Sequence, residues 1–379
     1  MNQDAITAPF AVPFIHRLHF TSNAFSPKNV VLDQVLREGG ADSPLAVAFF
    51  DQGVTDAWPD IQESAAEYAK SHDWTAFRSC PIPGGEESKN DPAILERILQ
   101  AIHDAGIDRQ SYVIAVGGGA LLDTVGYAAS IAHRGVRLVR IPTTTLAQGD
   151  SGVGVKNGVN AFGKKNYLGV FSSPWAVIND EALLSTLSDR DWRCGFVEAV
   201  KVGLVKDAAL FETIAAQATE ISKRQLDVAI PVIRMSAELH LRHITEGGDP
   251  FELISARPLD FGHWAAHKLE QMTQFRLRHG ETVAIGIALD TLYSVETGLL
   301  AEADGRRVLD CLAGLGFSLH DEAMADTTVL LRGLDEFREH LGGRLTVAML
   351  TGIGAAIDIH EMQPAAVVRS IERLAARHS

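Results

Sequence analysis

The stretch "SYVIAVGGGALLDTVGYAASIAH", residues 111–133, decides the fold. A short apolar run stops at three glycines, and a helical pattern begins directly after them. Small residues let a phosphate approach the backbone, and a helix N-terminus supplies free N–H groups and a positive dipole end. The turn therefore predicts a nucleotide site, although the last glycine of GxGxxG is missing and no acid follows the next strand. Asp51, at the end of an earlier strand, is a candidate for the ribose; a tight turn without a ligand is the alternative.

Further apolar runs occur on both sides of this stretch, at "LAVAFF" (45–50), "VRLVRIP" (136–142) and "WAVIND" (175–180). Strands that alternate with helices predict a parallel sheet covered on both faces. From about residue 189 nearly everything follows helical spacing. We therefore predict an α/β N-terminal domain with a Rossmann-like parallel sheet over residues 1–188, and a mostly α-helical C-terminal domain over residues 189–379.

Composition excludes several classes of function. The 379-residue chain has 46% hydrophobic and 22% charged residues, which is typical of a globular protein. A formal net charge of -14 argues against a nucleic-acid partner, because there is no basic excess to displace phosphate counterions. Three widely spaced cysteines argue against disulfides or a thiolate zinc site. With neither a secretory signal pattern nor the ~18 consecutive apolar residues of a membrane span, we expect a cytoplasmic protein without membrane contact.

The histidines of "RPLDFGHWAAHKLE" (257–270) suggest a metal site. His263 and His267 are four residues apart and share one helical face, and His279 follows at the start of the next helical pattern. Three histidines and a carboxylate from elsewhere could build a catalytic zinc site with an open position. Exposed or hydrogen-bonded structural histidines are the alternative, but Gly262 and Gly280 indicate a crowded backbone beside them.

Glu198 in "VEAVK" is the candidate carboxylate of this metal site. Lys201 follows three residues later, so the two side chains lie on the same helical face. A metal ligand next to a catalytic cation is one interpretation of this spacing. A simple ion pair on the protein surface is the other.

An ordered set of motifs resembles the sugar phosphate cyclases, the superfamily of 3-dehydroquinate synthase. The resemblance covers most of residues 45–290. Its motifs are "GEESK" (85–89), "GGGALLD" (117–123), "HRGVRLVRIPTTTLAQGDSGVGVKNGVN" (133–160), "GKKNYLG" (163–169), "VEAVKVGL" (197–204), "DFGHWAAH" (260–267) and "RHGE" (278–281). Each motif is weak alone, but the ordered set is specific.

The resemblance implies an NAD-binding α/β domain joined to a helical metal-binding domain, with the active site in the cleft. It implies Zn²⁺ (or Co²⁺) bound by Glu198, His263 and His279, with His267 beside the substrate or its phosphate. The implied NAD contacts are Asp51, Glu86, Lys89, Gly118, Gly119, Asp123, Thr143, Thr144 and Thr186. The implied substrate positions are Asp150, Lys156, Lys165, Asn166 and Lys201. Arg134 matches an arginine that reaches the neighbouring subunit's substrate, so a homodimer is implied.

The family's reaction is a cyclisation with loss of phosphate. NAD⁺ transiently oxidises a ring hydroxyl, which acidifies the neighbouring C–H and permits elimination. The ketone is then reduced, the ring opens and an aldol closure forms a carbocycle. Zinc acts as a Lewis acid on the vicinal oxygens, and lysines stabilise phosphate and the developing enolate.

Departures from dehydroquinate synthase indicate a different substrate. Asp260 replaces an asparagine of that enzyme, Arg257 fits its carboxylate-binding arginine only after a one-residue slip, and Arg242 replaces a lysine. A second negative charge near Asp260 would be repelled. An uncharged polyol end fits better, which favours sedoheptulose 7-phosphate and a valiolone-type or deoxygadusol-type product; the product isomer stays open.

Three other interpretations remain. The first is a dehydroquinate synthase with a rearranged carboxylate clamp. The second is a metal-dependent NAD alcohol or polyol dehydrogenase, which would have no reason to keep "GKKN", Lys156 and Lys201. The third is a non-catalytic binding protein on the same scaffold, which would be expected to have lost the metal ligands.

Overall fold

The structure, a computed structural model, describes residues 6–251, 260–340 and 343–378. The strands are β1 (Leu18–Thr21), β2 (Leu45–Asp51), β3 (Ala76–Ile82), β4 (Tyr112–Gly117), β5 (Arg137–Pro142), β6 (Lys156–Ala161), β7 (Lys164–Phe171), β8 (Ala176–Asp180), β9 (Val347–Gly352) and β10 (Ala355–Ile359). The α-helices are α1 (Val31–Arg37), α2 (Gln52–Ala57), α3 (Ile61–Ser71), α4 (Pro92–Asp104), α5 (Gly119–Ile131), α6 (Asp189–Lys206), α7 (Ala208–Ala216), α8 (Ala218–Ser222), α9 (Leu226–Glu246), α10 (His263–Met272), α11 (His279–Glu296), α12 (Glu302–Gly314), α13 (Thr327–His340) and α14 (Pro364–His378).

Six strands form one parallel sheet in the order β1–β8–β5–β4–β2–β3. All six residues of β4 are buried, as a continuous apolar run in a doubly covered parallel sheet requires. Phe50 of β2 pairs with Val116 of β4, so the carboxyl ends of these strands lie side by side. The predicted parallel sheet is therefore confirmed, and the glycine turn lies at the edge where such sheets bind ligands.

Apolar side chains cover both faces of the sheet. One core contains residues of α1 and α3, including Leu32 and Tyr68. The opposite core contains residues of α4 and α5, including Ile98 and Val125. A third core joins the helices from α6 to α14, so the predicted helical C-terminal part is confirmed; the boundary near residue 188 stays a prediction. None of the described helices has both the length and the apolarity that a membrane crossing needs.

One part of the helical prediction is wrong. Residues 347–359 form the antiparallel hairpin β9–β10 rather than a helix. Its turn contains Gly354 at φ +82°, a left-handed conformation in which only glycine is unstrained. Alanines throughout this segment fit a helical pattern as well as a strand pattern, and the tight turn decides between them.

A direct backbone contact joins the sheet to the helical part. A Cβ on Gly195 of α6 would lie 2.3 Å from backbone atoms of Thr145 and Leu146, in the segment after β5. The hydroxyl of Thr145 donates to the Trp192 carbonyl at 2.7 Å and accepts from the Gly195 N–H at 3.2 Å. Helix α6 is therefore held against the strand end that would face a nucleotide.

Candidate metal and cofactor site

Three helices bring one carboxylate and two imidazoles together. Glu198 lies in the middle of α6, whereas His263 and His279 are the first residues of α10 and α11. The Glu198 Oε1 atom lies 3.8 Å from Nε2 of His263 and 3.4 Å from Nε2 of His279. One ligand atom from each residue falls within 4.8 Å of the others, which is a spacing that one metal ion could bridge.

Glycines allow α6, α10 and α11 to approach closely enough for these three side chains to converge. Gly262 precedes α10 at φ +79°, and a Cβ there would lie 2.6 Å from the Ile287 nitrogen of α11. A Cβ on Gly280 would lie 2.7 Å from the Cβ of Cys194 on α6. The crowding expected around both glycines is therefore present, and it arises from helix packing. It places His263 and His279 on facing helix ends.

The two imidazoles of the cluster differ sharply in pKa. Nδ1 of His263 lies 3.1 Å from the Phe261 carbonyl and donates to it, which turns Nε2 toward Glu198. Burial, aided by Lys201, holds the pKa of His263 well below its usual range. Burial alone would lower the pKa of His279, but hydrogen bonds to Glu198 and Glu270 outweigh it and raise the pKa to about 9. His263 is thus a ready ligand, whereas His279 must first lose a proton.

Lys201 is buried beside this cluster and forms an ion pair with Glu198. The interpretation as a surface ion pair is therefore wrong. Burial lowers the pKa of Lys201, but Glu198, Asp150 and Asp260 outweigh it and raise the pKa above its usual value. Lys201 consequently remains a cation among three carboxylates, available to stabilise an anion that forms nearby.

Glu270 is a member of the cluster that the sequence interpretation missed. Its Oε1 lies 3.0 Å from Nδ1 of His279, and its Oε2 lies 3.3 Å from Nδ1 of His267. Nζ of Lys165, on β7, lies 4.0 Å from Oε1. The signal was present, because Glu270 follows His263 by seven residues and shares its face of α10.

Asp150 lies in a π-helical turn (Ala147–Ser151) that packs against α9. Its Oδ1 lies 2.8 Å from Nδ1 of His240 on α9. Burial alone would raise the pKa of Asp150, but His240 outweighs it and lowers the pKa. Sequence interpretation missed His240, which has no spacing signal toward Asp150.

A buried arginine shapes the loop after Asp150. Arg140 is fully buried on β5, where burial lowers its pKa to about 10 and still leaves it charged at neutral pH. It donates to the carbonyls of Gly152, Gly154 and Lys156 and to Oδ1 of Asn157, at 2.6–3.0 Å. This loop connects Asp150 to Lys156, so Arg140 determines the path of the chain between two of the predicted substrate residues.

The predicted nucleotide residues meet at the carboxyl edge of the sheet. Asp51 ends β2, and a Cβ on Gly84 would lie 2.1 Å from its Oδ1. Burial raises the pKa of Asp51, although the N–H groups of Gly53 and Gly118 oppose this. Since Gly118 caps α5, Asp51 lies beside the helix N-terminus, where it could accept ribose hydroxyls while phosphate approaches the turn.

The other predicted NAD residues lie at several points around this edge. Lys89 is buried, and its Nζ lies 2.8 Å from Oδ2 of Asp123 and contacts Oδ1 of Asn166. Glu86 lies 3.8 Å from the same Nζ. Gly119 begins α5, Thr143 and Thr144 follow β5, and Thr186 is exposed after β8. Asn166, which is predicted to bind the substrate, thus contacts Lys89, which is predicted to bind the cofactor.

The remaining predicted substrate residues are more exposed. Lys156, Lys165 and Asn166 lie on the hairpin β6–β7, while Arg134 and Arg242 are exposed after α5 and on α9. In the part of the chain that the structure describes, no ion pair or hydrogen bond joins Arg134 or Arg242 to the histidines. Arg257 lies outside the described residues.

Comparison with known proteins gives consistent matches along the chain. A family model described as 3-dehydroquinate synthase N-terminal matches residues 79–194, and one described as 3-dehydroquinate synthase C-terminal matches residues 195–335. A 3-dehydroquinate synthase of Rhodopseudomonas palustris is 37% identical over 306 residues, 77% of this chain and 78% of that protein. A 2-epi-5-epi-valiolone synthase of Streptomyces glaucescens is 33% identical over 360 residues, 94% of this chain and 90% of that protein.

A solved structure matches almost the whole chain. It is the 2-epi-5-epi-valiolone synthase of Streptomyces hygroscopicus subsp. jinggangensis with NAD⁺ and Zn²⁺ bound. Its TM-score is 0.87 at 28% identity, and the match covers 98% of this chain and 99% of that chain.

Proposed function

Because this chain belongs to the 3-dehydroquinate synthase family of sugar phosphate cyclases, we propose that it converts sedoheptulose 7-phosphate to a valiolone-type C7 cyclitol with loss of phosphate. It is an NAD- and metal-dependent carbon–oxygen lyase, as the members of this family are. The choice of substrate is the proposal, since its relatives include both valiolone synthase and dehydroquinate synthase.

The charge around Lys201 carries the choice of substrate. Glu198, Asp150 and Asp260 are the carboxylates that act on this one buried ammonium group. A substrate carboxylate would add a fourth negative charge at short range, and its repulsion is strong where water is excluded. The polyol end of sedoheptulose 7-phosphate carries no such charge and can donate hydroxyl hydrogens to Asp150 and Asp260.

The metal would be bound by Glu198, His263 and His279. The donor set fits a divalent ion of the zinc type: one carboxylate and two imidazoles converge, which leaves a position for substrate oxygens. Bound there, Zn²⁺ or Co²⁺ would supply Lewis-acid polarisation of the vicinal oxygens. The solved valiolone synthase with Zn²⁺ bound supports this assignment.

NAD would bind across the carboxyl edge of the sheet. The turn at Gly118 and Gly119 would receive the pyrophosphate at the N-terminus of α5, and Asp51 would accept hydroxyls of the ribose. The other proposed NAD contacts are Glu86, Lys89, Asp123, Thr143, Thr144 and Thr186. When bound, NAD⁺ supplies the transient oxidation of one substrate hydroxyl.

The chain's own residues would bind phosphate and move protons. Lys156, Lys165 and Asn166 of the hairpin would hold the phosphate and stabilise its charge as it leaves. Lys201, kept protonated by its carboxylates, would stabilise negative charge that develops on substrate oxygen. Asp150, which its lowered pKa keeps ionised beside His240, would accept a hydrogen bond from the substrate hydroxyl and take up its proton.

The experiment compares the two candidate substrates directly. Purified protein with NAD⁺ and Zn²⁺ or Co²⁺ is offered sedoheptulose 7-phosphate, or the seven-carbon keto-acid phosphate of dehydroquinate synthase, in separate reactions. Phosphate release from the sugar phosphate alone supports the proposal, and release from the keto acid alone overturns it. In the second case the protein is a dehydroquinate synthase, the alternative that the match to Rhodopseudomonas palustris favours.

We also propose a cytoplasmic homodimer. The hairpin β6–β7 presents large apolar side chains to solvent, with Phe162 85% and Tyr167 53% exposed, as a subunit interface would. The three cysteines are free, which fits a reducing compartment. Light scattering of the purified chain tests the dimer: a monomer at micromolar concentration would exclude the interface and any role of Arg134 across it.

A further inference from the structure

The buried carboxylate of Glu270 binds two different imidazoles, one with each oxygen. Its side chain is only 6% exposed. Glu270 is not among the residues that the family resemblance implies for the metal or for NAD. Oε1 accepts from Nδ1 of His279 at 3.0 Å, and Oε2 accepts from Nδ1 of His267 at 3.3 Å. The two rings are stacked, with centroids 6.0 Å apart and planes inclined by 22°.

These hydrogen bonds determine which nitrogen of each ring remains available. With Nδ1–H of His279 directed to Glu270, Nε2 is the nitrogen that faces Glu198, at 3.4 Å from its Oε1. The same bond on His267 leaves Nε2 of that ring for another partner. A carboxylate that orients a metal-bound imidazole in this way also increases the basicity of the ring.

We propose that Glu270 is a positioning residue that orients His279 for the metal and couples this orientation to His267 and Lys165. Nζ of Lys165 lies 4.0 Å from Oε1 of the same carboxylate. One buried anion therefore contacts the proposed metal ligand His279 and two residues proposed to lie near the phosphate, His267 and Lys165. An anion that draws Lys165 or His267 away would change the charge that His279 experiences. The role of Glu270 in orienting His279 for the metal does not depend on the proposed substrate. Its coupling to His267 and Lys165 rests on the proposed position of the phosphate.

The competing explanation is a second metal ion. His267, Glu270 and His279 also offer three ligand atoms within 4.8 Å of one another. An ion there would need Nδ1 of His279 as a ligand while Nε2 binds the first ion, which requires an imidazole that has lost both protons. The number of metal ions bound per chain distinguishes the two arrangements.

The test compares Glu270→Gln with Glu336→Gln as a matched control. Glu336, on α13, forms an ion pair with Lys268 on α10, the helix that also carries Glu270. Among the described residues, Glu336 has no contact with the histidines. Zinc affinity is measured by competition with a chromophoric chelator, with thermal melting to verify folding. We expect Glu270→Gln to weaken zinc binding by about 10- to 100-fold and Glu336→Gln to leave it within about twofold. Equal affinity in the two variants, or two zinc ions per wild-type chain, would overturn the proposal.

Coupling is read out by the visible spectrum of the Co²⁺ form with inorganic phosphate as the probe. Phosphate should alter the spectrum of the wild type and of Glu336→Gln but not that of Glu270→Gln. No change in the wild type, or the same change in all three proteins, overturns the coupling. If Glu270→Gln does not fold, Glu270→Asp replaces it, since the shorter side chain keeps the charge but cannot reach both rings; unchanged zinc affinity in it overturns the positioning role.

Discussion

Metal binding should release one proton from His279. Without metal, its pKa is about 9, because Glu198 and Glu270 accept hydrogen bonds from its two ring nitrogens. At pH 7 the ring therefore carries both protons. Since Nε2 must lose its proton before it can bind a metal, the proton leaves when the ion enters. His263, whose pKa is held well below its usual range, contributes none.

The size of the effect follows from this pKa. Below pH 9 each unit of pH should strengthen metal binding about tenfold, which corresponds to about 1.4 kcal/mol. Between pH 7 and pH 9 the gain is therefore about 50-fold, or about 2.3 kcal/mol, since half of the rings are already neutral at pH 9. Above pH 9 the dependence on His279 disappears, because the ring is already neutral.

Isothermal titration of metal-free protein with Zn²⁺ at pH 7 counts this proton. Two buffers with different enthalpies of ionisation are used, and the difference in observed heat gives the number of protons released. A count of zero would refute the reasoning, because it would mean that His279 is neutral before the metal binds. A count near two would assign the second proton to Lys201, which shares Glu198 with the metal.

Four substitutions test other parts of the site. Asp260→Asn should lower turnover but keep the metal, because Asp260 acts on the charge of Lys201. His263→Ala should lose both turnover and metal. Equal metal loss in the two variants, measured by elemental analysis, would refute the role of Asp260. Arg140→Met should reduce the free energy of unfolding by about 3–5 kcal/mol in urea, because buried acceptors lose a charged donor; a change below about 1 kcal/mol would contradict the assigned hydrogen bonds. Gly262→Ala should lower both thermal stability and zinc affinity, since its φ is +79° and its Cβ would contact the Ile287 nitrogen; normal values for both would mean that α10 can shift freely.

The elements that sequence patterns predict well are those whose cause is local. Strands β2 and β4 are covered on both faces, and each is an almost continuous apolar run that can be recognised without knowledge of its neighbours. The glycine turn before α5 and the four-residue spacing of His263 and His267 are local in the same sense. These features predicted the sheet, the candidate nucleotide edge and the metal cluster.

The features that were missed depend on contacts between distant segments. Arg140 belongs to a strand with apolar neighbours, and only the fold reveals that carbonyls of the following loop satisfy its charge. Glu270 shares a helical face with two histidines, but its partner His279 comes from another helix. The pairing of His240 with Asp150 likewise joins α9 to a turn ninety residues earlier. Periodicity cannot identify a partner across such distances.

The contact of Gly195 with the segment after β5 has a consequence for how this scaffold could change its substrate. The helix that carries Glu198 and Lys201 approaches the backbone of Thr145 directly, and the Thr145 hydroxyl adds hydrogen bonds to Trp192 and Gly195 of the same helix. Under the proposed assignment of the NAD and metal sites, this close approach of the main chain would limit changes in the separation between the hydride acceptor and the Lewis acid. Asp260 and Arg242 lie outside this contact, so they can diverge without disturbing the redox distance. New substrates could then arise by point substitution around a reaction centre that itself stays constant.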